Sequence, residues 1–406
     1  MTPGPDVPPV TPTTARTWVE VDLGRIADNI RTLRARLPAD TGVLMTVKAN
    51  AYGHGLVPVA RTAIEAGAWG LGVAALDEAA SLRAAGIRAP VVCLMPTLPA
   101  EATRTIELDV IPAVMDWEQA AALARCARTV GRRVAVHVEV DTGMGRAGVR
   151  DDAAMALIDR IDRELRELYL DGIFTHFASA DETDARFTER QLDRFDVLLA
   201  ALAERGIQPA RVHVANSAAA LRFRRAARTL VRPGIVLYGA AGEIAAGGDT
   251  GWGGSTGWDG SAGRGRSGND EAFVPALAWR ARVVGIKPLG PGDAVSYHRW
   301  YVATEPQRVA ILAVGYGDGW PLTLSNRGSV LLRGRATPIR GAVCMDLTMV
   351  DATPFPDLSA GEVATLIGRE GDERRTVEEV GSEAGLMSYT ILTGIGPRVP
   401  RVYVED

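Results

Sequence analysis

Eight short apolar runs separated by helix-like stretches constrain the fold of this chain more than any other feature of its sequence. Stretches such as 120–130 and 191–205 place apolar residues every three or four positions, which indicates amphipathic helices, whereas the short runs indicate strands. The runs span residues 43–47, 69–73, 91–95, 110–114, 134–140, 173–177, 212–214 and 230–236. Eight strand–helix units in this span predict an α/β fold with a (β/α)8 barrel, and an open doubly wound sheet is the alternative.

The composition changes near residue 239, which divides the chain into predicted domains. Residues 240–272 are crowded with Gly, Ser, Trp and Asp and have too little apolar content to fold alone, so they predict a Gly-rich insertion or linker. Residues 273–406 predict a mostly β C-terminal domain with short strands between Gly, Pro and Asp turns. Those strands are predicted at 277–286, 308–314, 329–332, 342–350 and 362–368.

The N-terminal part of the chain contains two further predicted segments. Residues 1–14 are rich in Pro and Thr and predict a disordered tail, after which the barrel domain covers residues 15–239. The strand predicted at 17–21 precedes the first barrel helix, so it is a candidate to join the C-terminal domain instead of the barrel.

Charge and cysteine content exclude several classes of protein. The net charge is −4, with 47% apolar and 23% charged residues, which is typical of a soluble globular protein that binds neither nucleic acid nor a membrane. Cys93, Cys126 and Cys344 are odd in number and far apart, so they suit a reducing compartment and indicate neither a disulfide framework nor a metal site. The N-terminus lacks the apolar segment of a signal peptide, and no run is long enough to cross a bilayer, so we expect a cytoplasmic protein.

Only two lysines occur in the chain, Lys48 and Lys287, and its other long basic side chains are arginines. Lys48 closes the first apolar run, where a desolvated ammonium is costly without a partner. Lysine can lose its proton and attack a carbonyl, whereas a guanidinium stays charged and is not nucleophilic. A lysine that extends from a strand end into solvent is the commoner case, but the near-absence of lysine elsewhere favours a Schiff-base lysine at this position.

Polar residues also follow the predicted ends of other barrel strands. In such barrels the active site lies at the carboxyl ends of the strands, and phosphate often binds after strands seven and eight. The residues are Lys48 after strand one, Glu139, Asp141 and Arg146 after strand five, His176 at strand six, Asn216 and Ser217 at strand seven, and Arg232, Gly234 and Ile235 at strand eight. Singly, His176 is typical of a buried core histidine and Arg232 of a surface ion pair, but their joint placement on one rim indicates a site.

A phosphate-binding cradle is predicted after strands seven and eight. The hydroxyl of Ser217 and the backbone N–H groups of Gly234 and Ile235 would surround a phosphate there. Together with a Schiff-base lysine, this cradle implies pyridoxal 5′-phosphate, the usual aldehyde cofactor of amino-acid chemistry.

Motifs along the whole chain extend this pattern. They are Val-Lys-Ala-Asn-Ala-Tyr-Gly-His-Gly at 47–55, Asp-Thr-Gly-Met-Gly-Arg at 141–146, Thr-His-Phe-Ala at 175–178, Asn-Ser at 216–217, Arg-Pro-Gly at 232–234, Val-Ser-Tyr at 295–297, Gly-Tyr-Gly-Asp-Gly-Trp at 315–320, Cys-Met-Asp at 344–346 and Arg-Val-Pro-Arg at 398–401. In this order they resemble the alanine racemase family, and the resemblance runs from residue 17 to the end apart from the Gly-rich insertion. It implies a pyridoxal-phosphate-dependent isomerase that interconverts L- and D-alanine and supplies D-alanine for peptidoglycan.

The resemblance also implies a role for each site residue. Lys48 holds the cofactor and is the base for the D isomer, and Tyr297 is the base for the L isomer. Arg232 hydrogen-bonds the pyridine nitrogen, which stays unprotonated because arginine does not readily give up its proton. The cofactor is further held by Tyr52, His176, Asn216, Ser217, Gly234 and Ile235, and the substrate by Arg146 and Met345, with Glu139 and Asp346 in support. The family implies a homodimer in which Tyr297 and Met345 reach the barrel of the other subunit, and no metal, nucleic acid or membrane as a partner.

Two positions depart from the family pattern. Glu139 stands where many members carry a lysine modified to a carbamate, and a glutamate supplies the same negative charge without modification, so we expect Glu139 to orient Arg146 directly. Pro397 precedes Arg398 where the family often has a tyrosine near the phosphate and the substrate. Without that hydroxyl and ring the pocket wall changes, which makes serine or another small amino acid an alternative substrate.

Two further classes of function are alternatives to a racemase. A non-catalytic barrel protein of pyridoxal-phosphate homeostasis needs only the barrel, and the β domain that carries Tyr297 argues against it. A decarboxylase or aldolase on the same barrel would be expected to pair the pyridine nitrogen with a carboxylate, and Arg232 argues against that class.

Overall fold

The computed structural model of the chain describes residues 14–240 and 272–404. The tail predicted at 1–14 lies outside the described residues apart from Thr14, and the insertion predicted at 240–272 lies outside them apart from its two end residues. The described chain divides into two compact units. The barrel unit contains residues 25–240 and 272–274, and the C-terminal unit contains residues 14–24 and 275–404.

The strands and helices are numbered in chain order. The strands are β1 (Thr17–Asp22), β2 (Gly42–Thr46), β3 (Gly70–Val73), β4 (Val91–Pro96), β5 (Ile111–Val114), β6 (Val134–Asp141), β7 (Val149–Arg150), β8 (Leu168–Phe174), β9 (Arg211–His213), β10 (Leu230–Val231), β11 (Leu277–Leu289), β12 (Ala294–Val295), β13 (Tyr301–Val302), β14 (Gln307–Leu312), β15 (Ser329–Leu332), β16 (Arg335–Pro338), β17 (Thr348–Asp351), β18 (Val363–Glu370), β19 (Glu373–Arg375) and β20 (Arg401–Val404). The helices up to residue 222 are α1 (Leu23–Arg34), α2 (Lys48–Tyr52), α3 (Leu56–Glu65), α4 (Leu76–Ala84), α5 (Ala102–Glu107), α6 (Trp117–Val130), α7 (Asp151–Glu164), α8 (Arg186–Glu204) and α9 (Ser217–Arg222).

The barrel unit is a closed parallel barrel of eight strands. The strand order is β2, β3, β4, β5, β6, β8, β9 and β10, and β10 pairs in parallel with β2 to close the ring. The predicted (β/α)8 barrel is therefore confirmed, and closure excludes the open doubly wound sheet. Leu44, Val92 and Leu230 form a fully buried cluster, and each such side chain contributes about 1.5–3 kcal/mol on burial.

Three predicted barrel boundaries differ from the structure. The strand expected at 173–177 is β8, which begins at Leu168 and ends at Phe174, so His176 follows the strand. The run 230–236 pairs only as β10 (Leu230–Val231), because Pro233 lacks the N–H that a ladder requires, and Ile235–Tyr238 is a 3-10 helix. Lys48 lies two residues beyond the end of β2 and begins α2, rather than ending the strand.

The C-terminal unit is mostly β, as predicted. Its main sheet has the order β16, β15, β18, β11, β1 and β20, and β14 pairs with both β11 and β17. β1 pairs antiparallel with β11 and parallel with β20. Trp279 and Trp320 are fully buried and meet edge to face, with ring centroids 5.6 Å apart.

Two features of the C-terminal unit were not predicted. The helices Val377–Ala384 and Ser388–Gly394 are short, and their apolar residues are too few to give a clear helical repeat in the sequence. The strand predicted at 342–350 is shorter, β17 (Thr348–Asp351), because the preceding residues form a loop bound to the segment 315–318. Within the described residues, no helix has both the length and the apolar character that crossing a membrane requires.

Candidate active site

Lys48 begins α2, which follows the carboxyl end of β2 and is a left-handed turn rather than a right-handed helix. The four residues that follow it, Ala49–Asn50–Ala51–Tyr52, all have φ between 51° and 55°. A left-handed conformation costs about 1–2 kcal/mol for each residue with a Cβ, so this turn is strained. Burial lowers the pKa of Lys48, with Arg146 and Arg232 acting in the same direction and Glu78 against them. The Lys48 amine is therefore neutral in a larger fraction than an exposed lysine.

Arg232 is buried beneath the barrel rim and donates hydrogen bonds in several directions. Its Nη1 donates to His213 Nδ1 at 2.9 Å and to the His213 carbonyl oxygen at 2.6 Å. Its Nη2 donates to the Thr175 carbonyl oxygen at 2.7 Å and to His176 Nδ1 at 3.1 Å. Burial lowers the pKa of Arg232 to about 10, so the guanidinium remains protonated at neutral pH.

Three residues that the sequence analysis missed continue this network through the barrel interior. His213 Nε2 lies 2.9 Å from His137 Nδ1, and His137 Nε2 lies 3.1 Å from Asp171 Oδ2. Arginine can only donate, so His213 Nδ1 accepts, and each following ring nitrogen N–H points along the chain toward Asp171. Burial lowers the pKa of both histidines, which are therefore neutral, with one tautomer each.

Local backbone geometry makes room for His137. His137 pairs with Gly172 across β6 and β8, next to a register shift that skips Asp171 of β8, because the preceding residue Val136 pairs with Leu170. A Cβ on Gly172 would lie 2.6 Å from the His137 ring, so only glycine fits there. The sequence contained a usable indication, since His137 and His213 interrupt otherwise apolar predicted strands and a buried imidazole needs hydrogen-bond partners.

The predicted phosphate-binding residues lie together. Ser217 Oγ accepts the N–H of Gly234 at 2.9 Å, and Asn216 caps α9 by accepting the N–H of Ala219 at 2.9 Å. A Cβ on Gly234 would lie 2.5 Å from the Tyr52 hydroxyl oxygen, so the glycine lets that hydroxyl approach the backbone. Burial raises the pKa of Tyr52 to about 12, so its hydroxyl remains a proton donor. Ile235 follows Gly234 and begins the 3-10 helix.

Glu139 lies on the same face of β6 as His137, because strand side chains alternate. It is buried, and its Oε2 has no hydrogen-bond partner among the described residues. Burial raises the pKa of Glu139, and the charges of Arg232 and Arg146 oppose that shift. Among the described residues no ion pair joins Glu139 to Arg146, but the charge of Arg146 acts on the Glu139 carboxyl, and the orientation of Arg146 by Glu139 stays a prediction.

Arg146 ends a loop that hydrogen bonds to the Asp141 carboxylate hold in place. The Asp141 carboxylate accepts the N–H of Gly143 at 2.9 Å and that of Gly145 at 3.1 Å, and Arg146 is exposed. His176 is held from both sides, because Gln191 Nε2 donates to its carbonyl oxygen at 3.0 Å while Arg232 binds its Nδ1. The barrel unit thus brings together most of the predicted cofactor-binding residues.

The remaining predicted residues, Tyr297, Met345 and Asp346, lie in the C-terminal unit. The Tyr297 side chain is 68% exposed and that of Met345 is 53% exposed. The Met345 carbonyl oxygen accepts the N–H of Gly317 at 2.8 Å, and the Asp346 carboxylate accepts from Arg398 Nη2 at 2.7 Å. The loop that carries Met345 is therefore held by hydrogen bonds from Gly317 and Arg398, while Met345 itself is exposed.

Family models match nearly the whole described chain. The model described as "Alanine racemase, N-terminal domain" matches residues 21–242, and "Alanine racemase, C-terminal domain" matches residues 276–403. The chain belongs to the alanine racemase family. The predicted family is confirmed, and the chain is accordingly an isomerase of amino acids.

Relatives and solved structures agree with the family models. The alanine racemase of Halothermothrix orenii is 38% identical over 390 residues, which are 96% of this chain and 97% of that protein. The alanine racemase of Symbiobacterium thermophilum is 40% identical and covers 95% and 97% respectively. A structure of the Bacillus anthracis enzyme with bound L-Ala-P has a TM-score of 0.85 and 35% identity, covering 98% of this chain and 97% of that one. The Bartonella henselae enzyme with covalently bound pyridoxal phosphate has a TM-score of 0.81 and 26% identity, covering 96% and 100%.

Proposed function

We propose that this enzyme holds pyridoxal 5′-phosphate through Lys48 and racemises alanine, with Lys48 and Tyr297 as bases on opposite faces of the substrate. The observation that carries the proposal is the position of Arg232, a buried guanidinium held by His213 and His176 in the same barrel as Lys48. The family, which depends on pyridoxal phosphate, and the relative from Bartonella henselae, whose structure holds that cofactor covalently, support it.

The residues of the barrel unit fit such a cofactor. Ser217, the backbone at Gly234 and Ile235, and the Tyr52 hydroxyl would hold its phosphate, with Asn216 fixing the start of α9. Gly234 is suited to this because its missing Cβ leaves the backbone open toward Tyr52. The amine of Lys48 would hold the aldehyde carbon, for which its lowered pKa is suited.

Arg232 would donate a hydrogen bond to the pyridine nitrogen. Burial lowers its pKa only to about 10, so Arg232 remains a charged donor that does not readily give up its proton to that nitrogen. When bound, the cofactor draws electrons from the substrate and makes its Cα proton removable. An unprotonated pyridine nitrogen draws electrons less strongly, which disfavours transamination and other side reactions.

Two side chains would move the Cα proton. Lys48 Nζ exchanges it with the D isomer and Tyr297 Oη exchanges it with the L isomer, so the two groups act from opposite faces. Arg146 and the backbone at Met345 would hold the substrate carboxylate. Glu139 and Asp346 would support them, Glu139 by its charge and Asp346 through Arg398.

Alanine is the proposed substrate because every relative named above is an alanine racemase. Serine is the second candidate, on the observation that Pro397 is exposed and offers neither the ring nor the hydroxyl common at this position in the family. Purified enzyme incubated with L-alanine or L-serine and analysed by chiral chromatography decides between them. We expect faster formation of D-alanine, and faster formation of D-serine would reverse the assignment.

We further propose a cytoplasmic homodimer that supplies D-alanine for peptidoglycan, in which Tyr297 and Met345 act in the barrel of a second copy of the chain. The domains would be a barrel at 15–239 and a β domain at 273–406. The exposure of the Tyr297 and Met345 side chains in their own unit supports sharing. Mixing Lys48→Ala and Tyr297→Phe subunits tests it. Random mixing makes about half of the dimers mixed, and each mixed dimer would contain one intact site of two. About a quarter of wild-type activity should therefore be restored, whereas unshared sites would restore none.

A further inference from the structure

The left-handed turn after Lys48 requires an external restraint. Ala49, Asn50, Ala51 and Tyr52 have φ of 53°, 55°, 53° and 51°, and none of them is glycine. This region of backbone conformation is unfavourable for residues with a Cβ and is normally visited by one residue at a time. Four such residues in succession persist only where the surrounding structure holds them.

Glu78, in the first turn of α4, binds the first peptide of this turn. Its Oε1 accepts the N–H of Ala49 at 2.6 Å. Its Oε2 accepts the N–H of Ala74 at 2.8 Å and that of Ala75 at 3.2 Å. Both carboxylate oxygens are therefore engaged, and the side chain ties the peptide that joins Lys48 to Ala49 to the loop between β3 and α4.

The other contacts of the turn lie further along the chain. Asn50 Oδ1 accepts the N–H of Leu56 at 2.8 Å, and the Asn50 carbonyl oxygen accepts that of Gly55 at 2.9 Å. The N–H of Ala51 donates to the Val47 carbonyl oxygen at 2.8 Å. None of these contacts uses the N–H of the Lys48–Ala49 peptide, so the contact to Glu78 restrains a part of the turn that the others do not.

We propose that Glu78 is a positioning residue for Lys48, which fixes the origin of the Lys48 side chain by binding the N–H of the Lys48–Ala49 peptide. The inference rests on the proposed function, in which Lys48 Nζ exchanges the Cα proton. A reacting group displaced by about 1 Å can lose about a hundredfold in rate, although substrate binding through other residues continues. Loss of Glu78 should therefore lower kcat much more than it changes KM.

Glu78→Gln tests the proposal. Glutamine has one acceptor oxygen and an amide group that only donates, so it cannot bind the N–H of Ala49 and those of Ala74 and Ala75 together. We expect kcat for alanine to fall about tenfold to a hundredfold, as befits a lost hydrogen bond to a charged acceptor, with KM nearly unchanged. Asp77→Asn is the matched control, because Asp77 is the exposed neighbour on α4 and pairs with Arg104 away from Lys48. It should keep wild-type kcat.

Rescue separates positioning from a general effect on folding. Glycine adopts the left-handed conformation without the Cβ penalty, so Ala49→Gly lets the turn form without the hydrogen bond to Glu78. Added to Glu78→Gln, it should recover kcat about fivefold or more. If Glu78→Gln does not fold, Glu78→Asp replaces it, since aspartate keeps the charge but has a shorter reach, and the same loss and rescue are expected.

The outcomes distinguish this inference from the proposed function. Wild-type kcat in Glu78→Gln, or a loss that Ala49→Gly does not recover, overturns the positioning role. Neither result affects the assignment of Lys48, which is tested separately and fails if Lys48→Ala still racemises alanine. A loss of kcat with recovery by glycine, beside an inactive Lys48→Ala, supports both.

Discussion

Replacing His213 with phenylalanine should destabilise the barrel unit even though it keeps an aromatic ring at that position. Phenylalanine keeps a ring that can stack on Phe174, whose centroid lies 4.7 Å from that of His213. The substitution removes the acceptor of Arg232 Nη1 and the donor to His137 Nδ1, both at 2.9 Å. The His213 carbonyl oxygen still accepts from Arg232, so that contact survives the substitution.

The expected magnitude follows from the two lost contacts. A hydrogen bond from a charged donor contributes about 1.5–3 kcal/mol, and leaving His137 Nδ1 unpaired in the interior costs about 1–3 kcal/mol more. The free energy of unfolding should therefore fall by about 2.5–6 kcal/mol, a large part of the 5–15 kcal/mol typical of proteins. Urea denaturation followed by circular dichroism, at one fixed protein concentration, measures the change.

Val197→Phe is the control for this comparison. Val197 lies on α8 of the barrel unit and is 71% exposed, so its replacement by the same residue should change the free energy of unfolding by about 0.5 kcal/mol or less. If His213→Phe unfolds at the same urea concentration as the control, the hydrogen-bonded chain from Arg232 to Asp171 contributes nothing measurable to stability, contrary to this prediction.

Three other substitutions test the proposed roles. Tyr297→Phe should slow the exchange of solvent deuterium into L-alanine by about 10²–10⁴-fold and into D-alanine much less; equal losses would contradict the two-base assignment. Glu139→Gln keeps the shape of the side chain and removes the charge that acts on Arg146. KM for alanine should therefore rise about tenfold, which corresponds to roughly 1.4 kcal/mol of substrate binding, while cofactor binding stays intact. Unchanged kinetics would show that the charge of Glu139 is not used. Asp171→Leu should destabilise the barrel unit by about 1–3 kcal/mol, because His137 loses its hydrogen-bond acceptor. A denaturation midpoint equal to that of the wild type would show that His137 finds another partner.

The barrel could be predicted because its strands are buried and therefore apolar. Each apolar run differed clearly from the helical periodicity on either side of it, and the number of these runs predicted a ring of eight strands. The boundaries failed where that pattern is interrupted. Asp171 and Gly172 lie inside β8, so only the apolar end of the strand was recognised, and Pro233 ends the pairing of β10 within an apolar run.

The polar network inside the barrel could not be predicted from the sequence in the same way. The spacing of His137, Asp171 and His213 along the chain gives no sign that they meet, because adjacency of β6, β8 and β9 decides it. Glu78 was missed for a related reason, since a glutamate near the start of a helix is typical of a helix cap. Its contact with the Ala49 N–H depends on the left-handed turn, which four non-glycine residues give no reason to expect.

Every proposed role in the site depends on the attachment of the cofactor to Lys48. Because lysine is so rare in this chain, that attachment can be tested directly. Borohydride reduction of the enzyme purified with its cofactor fixes the pyridoxyl group on the lysine that holds it, and peptide mass spectrometry then locates the group. With only two lysines in the chain, the answer is one of two peptides. We expect the label on Lys48 alone, and no label on Lys48→Ala. A label on Lys287, or one retained in Lys48→Ala, would contradict it.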